Sequence, residues 1–355
     1  MKLEGSTLTD ASLLIGLGRF DEAELVLIEL LDAADADGDA AAASHALEGL
    51  GTIATRRGQE TRALELFEQA IARGGHPDPA ERDGLYWNTA RLRSYTGDAE
   101  GAIALLEECL RRLSARPQPD QALLAHFAIT LNYAYADAGE YGKARTILAD
   151  VLQRSEDLDL QVQRRLYTAL CRININTGRP DLAVEYAEKM LEIALVSAPV
   201  SLHDVYLMAA HTRLDTGDTE IAGRYLEQAR AHAPQPLGTV DEGFLLVEEA
   251  RYSLQHGDHE PALARARLAI DLLGDQSVPG QLGLAYLVLA RVYDDTGRDD
   301  QADRAYLMAI DGLERQAGWP TDLAKAYRRY GKFLRRVGRS EDAMRMLELA
   351  SDTGA

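Results

Sequence analysis

Cysteine is scarce in this sequence of 355 residues, where only Cys109 and Cys171 occur. Two isolated cysteines exclude a dense disulfide framework and a four-cysteine zinc site, and they are typical of a reducing compartment. Long apolar runs are missing as well. No stretch reaches the roughly 18 apolar residues of a membrane span, and the first residues contain no signal-peptide core. We therefore expect a soluble, cytoplasmic protein.

Positive charge is also scarce, since the sequence has 38 basic and 57 acidic residues and a formal net charge of −19. Nucleic acids and anionic membranes both require a cluster of cations, so neither is an expected partner. Only five of the basic residues are lysine, and this preference for arginine, together with abundant alanine, is typical of a GC-rich, bacterial coding sequence. Aromatic residues make up only 6%, a composition that favours helices.

Motifs for catalysis and for cofactor binding are absent from the sequence. There is no G-x-S-x-G elbow and no P-loop, and the G-x-G of Gly16 and Gly18 lacks the preceding strand of a dinucleotide site. The segment HGDHE at 256–260 does not have the H-E-x-x-H spacing of a zinc site. A calcium loop around Gly38 would place Ala33 at its first ligand position. We expect no enzyme, no cofactor and no metal site.

One short pattern recurs nine times at intervals of 39–42 residues: a glycine, followed five positions later by an alanine. The glycines are Gly18, Gly58, Gly97, Gly139, Gly178, Gly217, Gly257, Gly297 and Gly338. A residue seven positions before each glycine is small in nearly every copy. Glycine ends a helix in the left-handed conformation, and small residues on both sides let two antiparallel helices approach closely. The pattern predicts nine helix–turn–helix units in a single array over residues 4–355.

The units resemble tetratricopeptide repeats, which combine an aromatic residue, a small residue, a turn, and then alanine, aromatic and alanine. The first aromatic lies eleven residues before the turn glycine in five units, as Tyr86, Tyr167, Tyr206, Tyr286 and Tyr327. The family's basic unit has about 34 residues. The longer units here are similar to those of kinesin light chains and of sensor arms in bacterial signalling ATPases and transcription activators. The resemblance implies an all-α fold, a right-handed α-solenoid superhelix whose concave groove is lined by the first helix of each unit.

Basic residues are concentrated on the stripe of the first helices that should face this groove. Counted from the turn glycine, offsets −11, −8, −7 and −4 form the packed stripe, so offsets −13, −10, −6, −3 and −2 lie opposite. These offsets hold eleven basic and six acidic residues, the reverse of the charge of the whole chain. Guanidinium groups bind carboxylates in a bidentate manner. The predicted groove residues are Trp87, Asn88, Arg91, Tyr133, Arg165, Arg172, Arg251, Arg291, Lys325, Arg328 and Lys332.

These observations favour an interaction scaffold that binds an acidic peptide or partner segment in the groove. In the alternative interpretation, the same basic residues pair with acidic side chains on neighbouring helices and only solvate the channel. A second function is a ligand- or peptide-sensing arm of a bacterial signalling or transcription regulator that acts through another chain. The last unit contains Met344 and Met346 and has no capping element, so the chain could form a homodimer there, be part of a longer protein, or leave an edge exposed.

Overall fold

The computed structural model describes residues 7–74, 79–197, 201–276, 278–315 and 319–353, and every regular element in these ranges is helical. Its contacts divide the chain into two compact units, Met1–Ala138 and Gly139–Ala355. The first unit contains α1 (Leu8–Gly16), α2 (Phe20–Asp37), α3 (Ala40–Arg56), α4 (Glu60–Ala72), α5 (Pro79–Tyr95), α6 (Ala99–Ser114) and α7 (Gln121–Asp137). The second contains α8 (Tyr141–Leu152), α9 (Leu160–Asn176), α10 (Pro180–Val196), α11 (Leu202–Thr216), α12 (Thr219–Ala231), α13 (Thr239–Gln255), α14 (His259–Leu273), α15 (Pro279–Asp295), α16 (Asp299–Glu314), α17 (Pro320–Arg336) and α18 (Ser340–Thr353).

Within each unit, consecutive helices contact each other, which is the architecture of an all-α solenoid of helical repeats. This confirms the predicted fold class. The prediction that all nine repeats form one array over residues 4–355 stays a prediction. Among the described helices, none combines the length and the apolar composition needed to cross a bilayer.

The helices end where the repeat pattern places their turn glycines. All nine turn glycines have positive φ values, from 65° at Gly178 to 90° at Gly97. Side chains with a β-carbon rarely adopt this conformation, so glycine is required for the chain to reverse. Several helices begin with an aspartate cap. For example, the carboxylate of Asp39 accepts hydrogen bonds from the backbone N–H groups of Ala41 and Ala42 at 3.1 and 3.0 Å.

The alanines of the repeat pattern are buried near the start of the second helix of each repeat. All nine alanines at offset +5 are at most 3% exposed: Ala23, Ala63, Ala102, Ala144, Ala183, Ala222, Ala262, Ala302 and Ala343. In the second repeat, the ring of Phe67 packs directly on Gly51, where an added β-carbon would lie 2.7 Å from the ring. The repeat pattern is therefore a packing code for closely spaced helices.

Candidate functional site

Five first helices of the second unit, α9, α11, α13, α15 and α17, surround a cavity of about 280 Å³. Helix α17 contacts α9 although three repeats lie between them along the chain. At this contact the hydroxyl of Thr321 donates a hydrogen bond to the backbone carbonyl of Ile175 at 2.8 Å. The cavity is lined by Arg172, Ile175, Asn176, Asp204, Leu207, Met208, His211, Asp241, Phe244, Gln281, Trp319 and Asp322.

Polar side chains reach the cavity from the first turn of four of these helices. Asp204, Asp241, Gln281 and Asp322 are each the third residue of their helix. Carboxylates at this position also interact favourably with the positive end of the helix dipole. Asp204 and Asp241 are exposed, whereas Asp322 is buried. The lining thus has three carboxylates and one arginine, Arg172, so its fixed charge is negative before His211 is considered.

A buried ionic network lies against the cavity and joins α11, α13 and α17. The carboxylate of Asp215 accepts hydrogen bonds from Arg251 at 2.5 Å and from Lys325 at 2.9 Å. Lys325 also donates to Asp322 at 3.1 Å, which connects the network to the cavity wall. The side chains of Asp215 and Arg251 are only 9% and 11% exposed, so their ion pair is largely removed from water, whereas Lys325 is 35% exposed. These contacts hold α17 against α11 across 110 residues of sequence.

Glu248 and His211 complete the ionic network. Glu248 is fully buried and accepts a hydrogen bond from Arg251 at 2.7 Å. One of its oxygens lies 3.0 Å from Nδ1 of His211. Each helix supplies two members one turn apart: His211 with Asp215, Glu248 with Arg251, and Asp322 with Lys325. Residues at this spacing share one helix face, so every member points toward the other helices.

The ionic network shifts the pKa values of Asp215 and His211 in the directions that keep both side chains charged. Burial by itself would raise the pKa of Asp215, but Arg251, His211 and Lys325 hold it well below its ordinary value. Burial likewise disfavours charge on His211, and the nearby Glu248 carboxylate nevertheless raises its pKa. The network contains three carboxylates and two cations, Arg251 and Lys325, and Nη1 of Arg251 also lies 2.8 Å from Nδ1 of His211.

The predicted groove residues of the second unit have different environments. Arg172 is exposed and lines the cavity, whereas Arg251 and Lys325 are bound to carboxylates in the ionic network. For these two residues the structure shows the alternative interpretation, pairing with neighbouring helices. Burial, together with the nearby Arg329 and Arg251, lowers the pKa of Arg291 to about 10. The remaining three are the half-buried Arg165 and the exposed Arg328 and Lys332.

The predicted residues of the first unit form a packed aromatic cluster. The indole N–H of Trp87 donates to the hydroxyl of Thr130 at 2.7 Å, and its ring centroid lies 4.8 Å from that of His126. The guanidinium of Arg91 lies 5.8 Å from the centre of the Trp87 ring, within cation–π range. The two other predicted residues, Asn88 and Tyr133, are half-buried. The polar group of Trp87 is thus already bonded within the protein.

Sequence reasoning located part of the cavity wall and missed another part. Seven of the twelve lining residues lie at the offsets assigned to the groove-facing stripe. The missed residues include Asp241, Gln281 and Asp322, which all lie at offset −16, one turn before the stripe began. Extending the stripe by one helical turn would have found them. The buried Glu248 lies at offset −9, three residues before Arg251 on the same helix, a spacing from which their pairing could have been predicted.

The cavity combines the apolar and charged walls of a binding site, and its described lining contains no serine, threonine, cysteine or lysine. Leu207, Met208, Phe244 and Trp319 supply an apolar wall, and charged and amide groups supply orientation. The nearest thiol, Cys171, is fully buried, which raises its pKa to about 12 and keeps it protonated. Among the described residues, no group of histidine, cysteine, aspartate and glutamate side chains is arranged to hold a metal ion.

Comparison with known proteins identifies the fold. No family model matches the chain, and no curated protein matches it in sequence. Among solved structures, it is similar to a Rap protein in complex with competence and sporulation factor, with 14% identity, a TM-score of 0.60 and coverage of 77% of each chain. It is also similar to aspartyl phosphate phosphatase F from Bacillus subtilis, with 14% identity and a TM-score of 0.64 over 88% of this chain and 77% of that one.

A third similar structure is a signal transduction ATPase with numerous domains from Pyrococcus horikoshii, which carries a tetratricopeptide repeat sensor. The identity is 16% and the TM-score 0.54, over 94% of this chain and 52% of that one. At such identities the similarities establish the fold, which is of the tetratricopeptide repeat type. One of the three is named a phosphatase, so the expectation that this chain is not an enzyme stays a prediction.

Proposed function

We propose that this protein is a non-enzymatic interaction module that binds a short peptide segment of a partner in the cavity of its second unit. The observation that carries the proposal is the convergence of five successive first helices on one cavity with apolar and charged walls. Its volume of about 280 Å³ is near the lower end of ligand-binding pockets, so it suits one or two anchoring side chains rather than a folded domain.

An acidic partner was predicted from the basic stripe, but only some of its basic residues remain exposed. Arg251 and Lys325 are neutralised by carboxylates of the protein itself. An acidic segment would therefore have to bind the exposed cations, Arg172, Arg328 and Lys332. We retain this as a proposal for the surface around those three residues, and we retain the homodimer through the last repeat, where Met344 is 64% exposed.

The second candidate function is a sensing arm that acts through another chain. The contact between α17 and α9 favours this function, because residues of both helices line the cavity and a ligand there would touch both. The similar structure from Pyrococcus horikoshii is named for a sensor of the same repeat type. Binding in the cavity would then bias the position of α17, and another chain would detect that change.

The proposal is tested by selecting peptides from a random displayed library on the full chain and measuring their affinity for two variants. Met208→Trp places a larger side chain in the cavity, whereas Met308→Trp makes the same change at an exposed position of α16. We expect Met208→Trp to weaken binding by at least about tenfold, corresponding to roughly 1.4 kcal/mol, and Met308→Trp to leave it unchanged. Selected peptides that bind both variants like the wild type would refute the cavity as the site.

A further inference from the structure

We propose that the segment held in this cavity presents a cationic side chain, lysine or arginine, to the carboxylates of the wall, next to an apolar side chain on Trp319 and Phe244. This inference rests on the proposed function, and it reverses the charge expected from the basic stripe. It depends on how the charged side chains are distributed between the cavity wall and the ionic network behind it.

The wall is anionic because three carboxylates line it and only one arginine, Arg172, does. Asp204, Asp241 and Asp322 line the cavity, while Arg251 and Lys325 belong to the ionic network behind it. In the described part of the chain, no ion pair joins Asp204 or Asp241 to a basic side chain. Two carboxylates are thus free to receive a cation from a ligand, and hydrogen bonds between charged groups are the strong ones.

Gln281 provides a second, independent observation. It lines the cavity from the first turn of α15, and its side-chain Oε1 is buried without a hydrogen-bond partner in the described structure. A buried acceptor without a donor is unfavourable, and a small rotation of the amide would present it to an incoming N–H group. Lysine and arginine carry N–H donors and no acceptor, so they match this wall better than a carboxylate does.

The apolar part of the wall selects the neighbouring side chain of the ligand. Trp319 and Phe244 are half-buried and line the same cavity as the carboxylates. An aromatic face accepts both an apolar side chain and the stem of a lysine or arginine, while the charged head reaches the carboxylates. Arg172 is the one arginine of the lining, and it is exposed.

Three defined peptide pools test the inference. Each is an acetylated and amidated pentapeptide with arginine, glutamine or glutamate at the centre and a mixture of Ala, Leu, Phe and Ser elsewhere. Binding is followed by ¹⁹F NMR of the full chain labelled with fluorotryptophan, because one of its two tryptophans, Trp319, lines the cavity. We expect the arginine pool to shift the Trp319 signal at a concentration at least about tenfold lower than the glutamine pool, and the glutamate pool to be weakest.

Two matched protein variants assign this preference to the wall. Asp241→Asn removes one exposed carboxylate of the cavity, and Asp271→Asn removes an exposed carboxylate from α14, outside it. The first should reduce the advantage of the arginine pool by roughly threefold to tenfold, and the second should leave it intact. Thermal unfolding of both variants, followed in parallel, identifies any loss that arises from destabilised helices instead.

The outcomes separate the inference from the proposed function. If the glutamate pool binds as well as the arginine pool and Met208→Trp abolishes both, the inference fails and the peptide site stands. An arginine preference that survives Asp241→Asn unchanged also overturns the inference. If no pool perturbs Trp319 and no library peptide depends on Met208, the peptide site itself is refuted.

Discussion

Two arginines at the same repeat offset should respond to the same substitution in very different ways. Arg172 and Arg251 both lie six residues before a turn glycine, and both were predicted to line a groove. Arg172 is exposed, whereas the side chain of Arg251 is only 11% exposed and bonds to Asp215 and Glu248. We therefore expect Arg251→Met to destabilise the second unit strongly and Arg172→Met to leave it nearly unchanged.

The magnitude follows from the burial of the groups that Arg251 neutralises. Removing one partner of a buried ion pair typically costs about 3–5 kcal/mol, because the other charge is left uncompensated. Here Lys325 still holds Asp215 at 2.9 Å and His211 still lies 3.0 Å from Glu248, so we expect the lower end, about 3 kcal/mol. Exposed ion pairs are worth about 0–1 kcal/mol, which bounds the effect of Arg172→Met.

The assay is urea and thermal unfolding of fluorotryptophan-labelled protein. Trp87 reports on the first unit and Trp319 on the second, so each unit has its own signal. A loss of about 3 kcal/mol should lower the midpoint of the Trp319 signal by about 6–12 °C and leave that of Trp87 in place. If Arg251→Met and Arg172→Met had equal midpoints, the ionic network would not be a structural element of the second unit.

Three further predictions follow from local contacts. Gly51→Ala should cost about 1–3 kcal/mol because its β-carbon would meet the ring of Phe67 at 2.7 Å, whereas Gly84→Ala, a helical site with open space, should be neutral or slightly stabilising in the same unfolding assay. The raised folded-state pKa of His211 adds stability that is fully present below about pH 6.5 and is lost as the pH rises through the folded value, so the Trp319 midpoint should fall with pH, and less steeply in His211→Gln. Cys171, with a pKa of about 12, should react with a thiol reagent at pH 8 only after unfolding, and rapid labelling of the native chain would contradict its burial.

The repeat pattern predicted the scaffold well because the scaffold depends on local rules. The positive φ of Gly178 and the burial of Ala183 follow from residue types at fixed spacings, and the structure confirms both. Whether Arg172 and Arg251 are exposed or paired depends instead on the side chains of neighbouring helices. Arg251 pairs with Glu248 on its own helix and with Asp215 of α11, and this second pairing depends on the register between repeats. A stripe on one helix contains no information about that register.

Asp322 links the cavity to the contacts that position α17. It lines the cavity and also accepts a hydrogen bond from Lys325, whose other partner is Asp215 of α11. A cationic side chain that binds Asp322 would compete with Lys325 for the same carboxylate. Thermodynamic linkage then requires that binding weakens the contact between Lys325 and Asp322 by the same free energy by which that contact weakens binding. A module that holds its ligand in this way would report occupancy through α17, so the scaffold and the sensor differ only in whether another chain recognises that helix.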